Sequence, residues 1–249
     1  MNNTKNEITE RDHWEGFHET IPRLRLPSRL VITTRNIQNL LKQNISSGDE
    51  VLEIGFAPGK QLSYVAANYQ AKVSGVDYSE HGIETAQRLF SALGIEADIR
   101  CESVFETSFS DGSFDFVYSI GVVEHFKDPT EVIQKHVELL KPGGKALIAI
   151  PNYGGIYGRV QAWFDQSNID IHNLDMMSES AFAAFINSDE VAEVKSYSYG
   201  RFDPSIISWR AKLPRIFAKI INYTGTFIGH LLPSKLGFAS PWLILEVRR

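Results

Sequence analysis

Short apolar runs alternate with stretches of helical spacing through the middle of the chain. Five of these runs are rich in Val, Ile, Leu or Ala and predict strands: Glu50–Gly55, Lys72–Asp77, Glu96–Cys101, Phe114–Ile120 and Lys145–Pro151. The helical stretches between them begin near Lys60, Ser79 and Pro129. Such alternation is typical of βαβ units around a buried parallel sheet. The pattern therefore predicts an α/β fold, in which a doubly wound, mostly parallel sheet carries helices on both faces.

The pattern is less regular on either side of this region. A break at Pro142-Gly143-Gly144 predicts that the third helix ends at Lys141. Three further elements are predicted after the fifth strand: a short helix over Ser178–Ile186 and strands over Val191–Tyr199 and Trp242–Val247. Residues 1–45 have no strand pattern, and the helical spacing of Leu30–Leu41 predicts a helical arm that packs beside the sheet.

Composition narrows the class of protein. The 249 residues, of which 43% are hydrophobic and 22% charged, fit one globular domain. The single cysteine, Cys101, excludes a disulfide framework and a cysteine-rich metal site, and we expect a reducing, cytoplasmic compartment. No run approaches the roughly twenty apolar residues that span a bilayer. A net charge of −5 argues against a nucleic-acid binder that depends on a positive surface.

A glycine-containing loop, Gly55–Gly59, joins the first predicted strand to the helix that begins at Lys60. Glycines let the backbone approach a ligand closely, and the N–H groups of a helix N-terminus favour a carboxylate or a phosphate. A dinucleotide-binding loop would have its third glycine where Lys60 stands. A P-loop would need Ser or Thr where Gln61 stands. The spacing therefore disfavours both a nicotinamide-dependent oxidoreductase and a nucleotide triphosphatase.

The strand and loop, Val51-Leu52-Glu53-Ile54-Gly55-Phe56-Ala57-Pro58-Gly59, resemble the acidic-x-Gly-x-Gly-x-Gly motif of class I S-adenosylmethionine-dependent methyltransferases, with Ala57 at the middle glycine. Three later stretches resemble the same family: Phe109–Ser119, Val123–Pro129 and Leu140–Gly144. Their order and spacing are similar to the small-molecule branch, the ubiquinone-biosynthesis-like methyltransferases of types 11 and 12. The resemblance covers roughly residues 48–152. It implies a seven-stranded Rossmann-like fold, S-adenosylmethionine as cofactor and S-adenosylhomocysteine as product.

The resemblance also implies a cofactor site along the carboxyl edge of the sheet. Asp77 would accept hydrogen bonds from both ribose hydroxyls, and its structural alternative is an N-cap that Ser79 could supply instead. The family's adenine-binding acid is replaced by Ser103, so that Glu102, the Ser103 hydroxyl and the Val104 N–H remain as alternatives. The implied cofactor-binding residues are Glu53, Gly55, Phe56, Ala57, Gly59, Asp77, Tyr78, Glu102, Ser103, Val104, Ser119 and Ile120.

Two histidines are candidates for the proton transfer that a hydroxyl acceptor needs. His125 follows the fourth strand, close to the expected methyl position, and its structural alternative is to brace the loop before Pro129. His172 lies in the irregular region after the fifth strand, where Asp170 and Asp175 are expected to raise its basicity. Its alternative is a solvated loop histidine. The expected substrate-binding residues are Trp14, Asn152, Tyr153 and Asn173.

These features predict the chemistry in outline. Glu124 is the only carboxylate in Ser119–Phe126, so we expect no metal ion. We expect methyl transfer to a small-molecule or lipid-linked acceptor, chiefly at oxygen and not to nucleic acid. Carbon or nitrogen methylation of a quinone-like or amino-sugar acceptor, and a non-catalytic or membrane-associated cofactor-binding protein, remain as alternatives. Within one domain, 1–249, residues 48–152 would form the cofactor-binding core, and 153–190 and 203–240 would cover the substrate.

The C-terminal part of the chain is basic. Its cationic residues are Arg210, Lys212, Arg215, Lys219, Lys235, Arg248 and Arg249. Glu246 is the one acid after residue 209, and apolar residues recur at helical spacing near 215–232. One interpretation is peripheral membrane contact through residues 210–235. The other is an inserted lid helix packed on the domain, which the helix-weakening Gly225 and Gly229 favour.

Overall fold

The structure is a computed structural model that describes residues 6–9, 11–18, 24–187, 191–232 and 237–249. Parts of the predicted arm and of the two covering regions, and Lys235 with them, lie outside the described residues. The helices are α1 (Arg11–His18), α2 (Ile32–Lys42), α3 (Lys60–Tyr69), α4 (Glu80–Leu93), α5 (Thr130–Glu138), α6 (Ile156–Phe164), α7 (Gln166–Asp170), α8 (Glu179–Ala183) and α9 (Arg215–Leu231). The strands are β1 (Glu50–Ile54), β2 (Lys72–Asp77), β3 (Asp98–Cys101), β4 (Phe114–Ile120), β5 (Leu140–Pro151), β6 (Glu193–Tyr199) and β7 (Trp242–Arg248).

The seven strands form one sheet in the order β3-β2-β1-β4-β5-β7-β6. Strands β1 to β5 are parallel, whereas β7 runs antiparallel to β5 and to β6. The order reverses between β1 and β4, and ligands of open α/β sheets bind at such a point, outside the carboxyl ends of the strands. The topology therefore places Gly55, Asp77 and Gly121, which each follow or end a strand, at one edge of the sheet.

Two apolar layers cover the sheet. One contains Leu52, Ile54 and Val117 together with residues of α5 and α8, and the other contains Val51, Phe116 and Tyr118 together with residues of α2, α3 and α4. Successive residues of β1 thus alternate between the layers, as the twofold repeat of a strand requires. Burial on both faces explains why the central strands are apolar along their whole length.

The predicted strands are confirmed, and most of their bounds agree within two residues. One prediction was wrong: the third helix, α5, ends at Glu138, and β5 begins at Leu140 instead of Lys145. The break at Pro142-Gly143-Gly144 lies inside β5, because Leu140 pairs with Phe114 before the register shifts. Gly143 has a φ of 82°, which glycine adopts without strain, so the chain turns there and still returns to the sheet.

Candidate active site

The loop after β1 is shaped by glycine. Gly55 has a φ of 67°, and a Cβ at this position would lie 2.5 Å from Val122 Cγ2. A side chain is therefore excluded by both backbone strain and space. Gly59 is also left-handed and is the N-cap of α3, which begins at Lys60. The helix thus opens directly behind the loop, and its first N–H groups face an incoming anion at this edge.

Asp77 joins this loop to the helix after β2. Its Oδ2 atom accepts a hydrogen bond from the Ala57 N–H at 3.0 Å, and its Oδ1 atom accepts one from the Ser79 N–H at 2.9 Å. The N-cap of α4 is Ser79, whose hydroxyl accepts from the Gly82 N–H. The structural alternative for Asp77, that of an N-cap, is therefore fulfilled by Ser79.

The edge encloses a cavity of about 290 Å³. Its lining combines predicted residues with residues that the sequence did not single out: Glu7, Thr9, Trp14, Gly55, Ala57, Asp77, Tyr78, Ile120, Gly121, Val122, His125 and Phe126. A smaller cavity of about 60 Å³ shares Gly55, Asp77 and Tyr78 with it and extends to Glu102, Ser103 and Val104. The residues predicted for the ribose, the adenine and the methyl group thus line two cavities that share part of their walls, and we call the two together the cleft.

Glu102 and Ser103, which follow β3, differ in the number of hydrogen bonds that they accept. The Glu102 carboxylate accepts bonds from the Ser108 N–H at 2.7 Å, the Ser108 hydroxyl at 2.6 Å and the Thr107 hydroxyl at 3.1 Å. These bonds hold a turn and lower the pKa of Glu102. The Ser103 oxygen accepts from the Phe105 N–H at 3.3 Å, and its proton remains available to a ligand acceptor.

Four residues that the family resemblance assigned to the cofactor do not line either cavity. One is Gly59, the N-cap of α3, and the other three have buried side chains. Glu53 lies on the α3 side of β1, where the Tyr118 hydroxyl donates to its carboxylate at 2.8 Å. Burial raises the pKa of Glu53 to about 8, against this hydrogen bond. The Phe56 ring stacks on Phe90, and the Ser119 hydroxyl lies 2.9 Å from Nε2 of the buried His136. Their side chains support the edge from within the core.

His125 and His172 lie side by side, with ring centroids 4.8 Å apart. Nδ1 of His125 is 2.9 Å from the Ile171 carbonyl, and Nδ1 of His172 is 2.6 Å from the Asn168 carbonyl. Because a carbonyl only accepts, each Nδ1 carries the proton, and each Nε2 carries the basic lone pair. His125 therefore braces the segment before His172, and its ring also lines the main cavity.

Both imidazoles are neutral at pH 7. Burial lowers the pKa of His125 to about 3, and the neighbouring His172 adds to this effect. Burial also lowers the pKa of His172, against its hydrogen bond to the Asn168 carbonyl. The expectation that Asp170 and Asp175 raise the basicity of His172 was therefore wrong, because withdrawal of the ring from water has the larger effect.

Glu124 lies beside the two histidines and is buried. Its Oε1 atom is 3.9 Å from Nε2 of His125, and its Oε2 atom has no hydrogen-bond partner among the residues that the structure describes. Burial raises the pKa of Glu124 to about 8. One ligand atom each of Glu124, His125 and His172 lie within 4.8 Å of one another, a grouping that can hold a metal ion. The expected independence of metal therefore stays a prediction, and this triad is the place to test it.

The other expected substrate-binding residues have distinct surroundings. The Tyr153 ring meets that of His172 edge to face, with centroids 5.0 Å apart. The Asn152 amide donates to the Ser240 carbonyl at 3.1 Å. The Asn173 amide donates to the Phe126 carbonyl at 3.0 Å and to the Lys127 carbonyl at 2.9 Å. Tyr153 thus lies against the candidate base, whereas the two Asn amides hold backbone together.

The N-terminal arm closes one side of the main cavity. The Trp14 ring meets the His125 ring edge to face, with centroids 4.8 Å apart. The next residue, Glu15, accepts hydrogen bonds from the Ser79 hydroxyl and from the N–H groups of Glu80 and His81, at 2.9 to 3.1 Å. Trp14 was predicted, but Glu15 had no sequence signal, because its partners lie more than sixty residues away.

Glu15→Gln is expected to loosen α1 from α4. An anion at a helix N-terminus contributes about 1 kcal/mol. Burial alone would raise the pKa of Glu15, but the hydrogen bonds from His81, Glu80 and Ser79 lower it to about 2. Since this folded pKa is below the ordinary 4.5, the contribution is complete above about pH 4.5 and is lost as the pH falls toward 2. Hydrogen exchange of residues 11–18 measures the loosening.

The control is Glu84→Gln, which removes an exposed acid from α4, the helix to which Glu15 binds. Equal exchange in residues 11–18 of both variants would contradict the assignment of Glu15 as the anchor of the arm.

Comparison with known proteins agrees with this geometry. The family model described as "Methyltransferase domain" matches residues 52–148. A phosphoethanolamine N-methyltransferase of Triticum aestivum is 28% identical over 224 residues, which cover 79% of this chain and 43% of that protein. A ubiquinone biosynthesis O-methyltransferase of Xanthomonas euvesicatoria is 34% identical over 107 residues, which cover 43% of this chain and 44% of that protein.

The chain carries a class I S-adenosylmethionine-dependent methyltransferase domain. The predicted family and small-molecule branch are thereby confirmed. The chain spans less than half the length of the curated relatives named above.

Solved structures share the fold of this chain. The geranyl diphosphate C-methyltransferase of Streptomyces coelicolor has a TM-score of 0.61 and 16% identity, over 87% of this chain and 79% of that chain. A phosphoethanolamine N-methyltransferase of Haemonchus contortus has a TM-score of 0.60 and 17% identity, over 87% of this chain and 52% of that chain. The predicted doubly wound α/β fold is confirmed by these likenesses and by the observed strand order.

Proposed function

We propose that this protein transfers a methyl group from S-adenosylmethionine to an oxygen atom of a small-molecule or lipid-linked acceptor. The observation that carries the proposal is the cleft at the carboxyl edge of the sheet. Asp77 and the Gly55 loop line this cleft together with His125, whose ring packs against that of His172. Asp77, the proposed partner of the ribose diol, and His125, a candidate acceptor of the proton, thus line the same cavity.

The cofactor fits the groups that the cleft offers. The ribose diol would donate to the Asp77 carboxylate. The methionine carboxylate would lie at the N-terminus of α3, where N–H groups are not yet paired within the helix. Ser103 is preferred over Glu102 for the adenine, because three hydrogen bonds already occupy the Glu102 carboxylate. Gly55 keeps the loop bare, so the backbone can approach the ligand.

Bound S-adenosylmethionine supplies an electrophilic methyl group. The contribution of the protein is to align the acceptor atom with this group and to exclude water. An acceptor hydroxyl must also lose its proton. Since burial keeps His125 and His172 unprotonated, Nε2 of either ring is available to take it. Trp14 and Tyr153, which contact these rings edge to face, would exclude water from the acceptor. We assign the cover of the acceptor to residues 153–190 and 203–240.

A second candidate is nitrogen methylation of a phosphoethanolamine-like acceptor. It is favoured by the alignment with the wheat N-methyltransferase, which covers 79% of this chain, whereas that with the O-methyltransferase covers 43%. An amine needs only to be deprotonated before it attacks, so the same histidines would serve.

The test is a methylation assay with isotopically labelled S-adenosylmethionine, the purified protein and two acceptors, a catechol-type quinol precursor and phosphoethanolamine. We expect a labelled methyl ether from the first acceptor, identified by tandem mass spectrometry. A methylated amine from phosphoethanolamine alone would establish the second candidate instead. Cofactor binding without a methylated product, from these acceptors or from a cell extract, would contradict catalysis and favour the non-catalytic alternative.

A further inference from the structure

The last helix, α9, packs against the domain through its smallest residues. Ala218, Gly225 and Gly229 are its buried positions. A Cβ on Gly225 would lie 2.3 Å from Pro204 Cγ, and one on Gly229 would lie 2.2 Å from the Phe202 carbonyl oxygen. No larger side chain fits on this face without displacing the backbone beneath it. The domain therefore accepts only the small face of α9.

Seven large apolar residues of α9 consequently point away from the domain, whereas Ile221 is half-buried. Their exposed fractions run from 48% at Ile228 to 74% at Tyr223, and the set is Ile216, Phe217, Ile220, Tyr223, Phe227, Ile228 and Leu231. At about 100° per residue these side chains cover one broad side of the helix. Trp163, 65% exposed, adds an aromatic ring near the start of α9, with Nζ of Lys212 5.4 Å from the ring centroid. We call this set with Trp163 the outer apolar face.

Exposed cations border this face along α9 and the segment before it. Arg210, Lys212, Arg215 and Lys219 are all exposed. Arg215 and Lys219 are four residues apart and so lie along one edge of the helix. The sequence contains no acidic residue between Asp203, which is buried, and Glu246. In a twofold dimer, each surface patch packs against the same patch of the second copy. A second copy of the chain would therefore place these cations against like charges. An anionic surface is complementary to them.

We propose that the outer apolar face and its basic border dock this protein onto an anionic lipid bilayer. The helix would lie in the plane of the interface, with its apolar side chains among the acyl chains and its cations at the headgroups. Its 17 residues extend for roughly 25 Å. No helix in the described part of the chain is long and apolar enough to cross a membrane, so the contact is peripheral.

Vesicle flotation tests the proposal independently of methyl transfer. The full-length protein is mixed with vesicles of phosphatidylcholine alone or with 30% phosphatidylglycerol, about one lipid in three, a fraction that gives a marked negative surface potential. We expect the wild type to float with the anionic vesicles. Phe217→Ser with Phe227→Ser should reduce partitioning roughly 100-fold, because two aromatic rings no longer leave water. Arg215→Gln with Lys219→Gln should reduce it roughly 10- to 30-fold and weaken the preference for anionic lipid, because only Arg210 and Lys212 of the basic border remain.

Matched controls make the same kinds of substitution at exposed positions outside α9. Leu24→Ser removes an apolar side chain that is 45% exposed beside α4, and Lys42→Gln with Lys195→Gln removes two exposed cations. Both should float as the wild type does. Because the substituted α9 residues are exposed, far-ultraviolet circular dichroism and Tm should be unchanged in every variant. Wild-type protein that stays with the unbound fraction, or Phe217→Ser/Phe227→Ser protein that floats normally, would overturn the proposal. The proposal would also be overturned if the wild type formed a dimer that did not float and that these substitutions dissociated.

Discussion

Asp77→Ala is expected to raise the Kd for S-adenosylmethionine and S-adenosylhomocysteine about 100-fold or more. A carboxylate that accepts two hydroxyl hydrogen bonds contributes about 1.5–3 kcal/mol through each of them. Both would be lost in this variant, and 1.4 kcal/mol corresponds to a tenfold change in affinity. Isothermal titration calorimetry with the wild type and the variant measures the change.

The substitution also removes the bonds that Asp77 accepts from the N–H groups of Ala57 and Ser79. A structural effect must therefore be separated from a lost ligand contact. The 2′-deoxy analogue of S-adenosylhomocysteine makes this separation, because it lacks one of the proposed hydroxyl partners. We expect the analogue to bind the wild type more weakly than the parent compound, and to bind Asp77→Ala as weakly as the parent does.

The matched control is Asp98→Ala, which removes a surface acid from the neighbouring strand β3 without touching the cleft. It should leave both affinities unchanged. Equal losses for the parent compound and the analogue in Asp77→Ala would mean that Asp77 only shapes the loop. The proposal for the ribose would then be wrong, even though the cleft itself remained.

The cofactor side of the cleft was predictable because its signals are local. Gly55 and Asp77 stand directly after buried strands, and the carboxyl ends of neighbouring parallel strands meet at one edge. The strand pattern predicted the parallel sheet, and the family resemblance implied a cofactor site at this edge. Ser119 shows the limit of the approach: it is one residue from the strand end, but it faces His136 inside the core. Covering helices bury both sides of a central strand, so its pattern does not show which side a residue faces.

The acceptor side was less predictable because long-range contacts form it. Glu7, Thr9 and Glu15 come from a polar arm whose composition gives no indication of a site. These residues meet partners that are distant in sequence. The Thr9 hydroxyl, for example, lies 3.0 Å from Nδ1 of His125, which is more than a hundred residues away in the chain. The same cause explains the error for His172. Its acidic neighbours in sequence suggested a raised pKa, but burial among residues from other elements lowers it.

His172→Ala is expected to lower kcat about 100-fold while changing the Kd for S-adenosylmethionine less than about twofold. Loss of a positioned base typically costs a factor of 10² to 10⁴, or about 3–5 kcal/mol. His172 is the better probe of the pair. His125 lines the main cavity, where the cofactor would bind, whereas His172 does not. Single-turnover rates and calorimetry, on an acceptor that the methylation assay has identified, separate the two quantities.

Gln87→Ala provides the control, because it removes an exposed polar side chain from α4, outside both the cleft and the regions assigned to its cover. Imidazole added to His172→Ala should restore part of the rate if the ring acts as a base, whereas a purely structural role predicts no rescue. Equal losses of kcat and cofactor affinity would likewise contradict the assignment.

A chelator distinguishes base catalysis from a metal role of the same residues. Glu124, His125 and His172 offer ligand atoms within 4.8 Å of one another, so removal of His172 would also weaken any metal bound there. If His172 acts as a base, ethylenediaminetetraacetate leaves the wild-type rate unchanged, and added Zn²⁺ or Mg²⁺ does not increase it. A rate that falls with the chelator and returns with one of these ions would mean that the triad works through a metal. The lost activity of His172→Ala would then report a missing ligand, and imidazole rescue would depend on the ion as well.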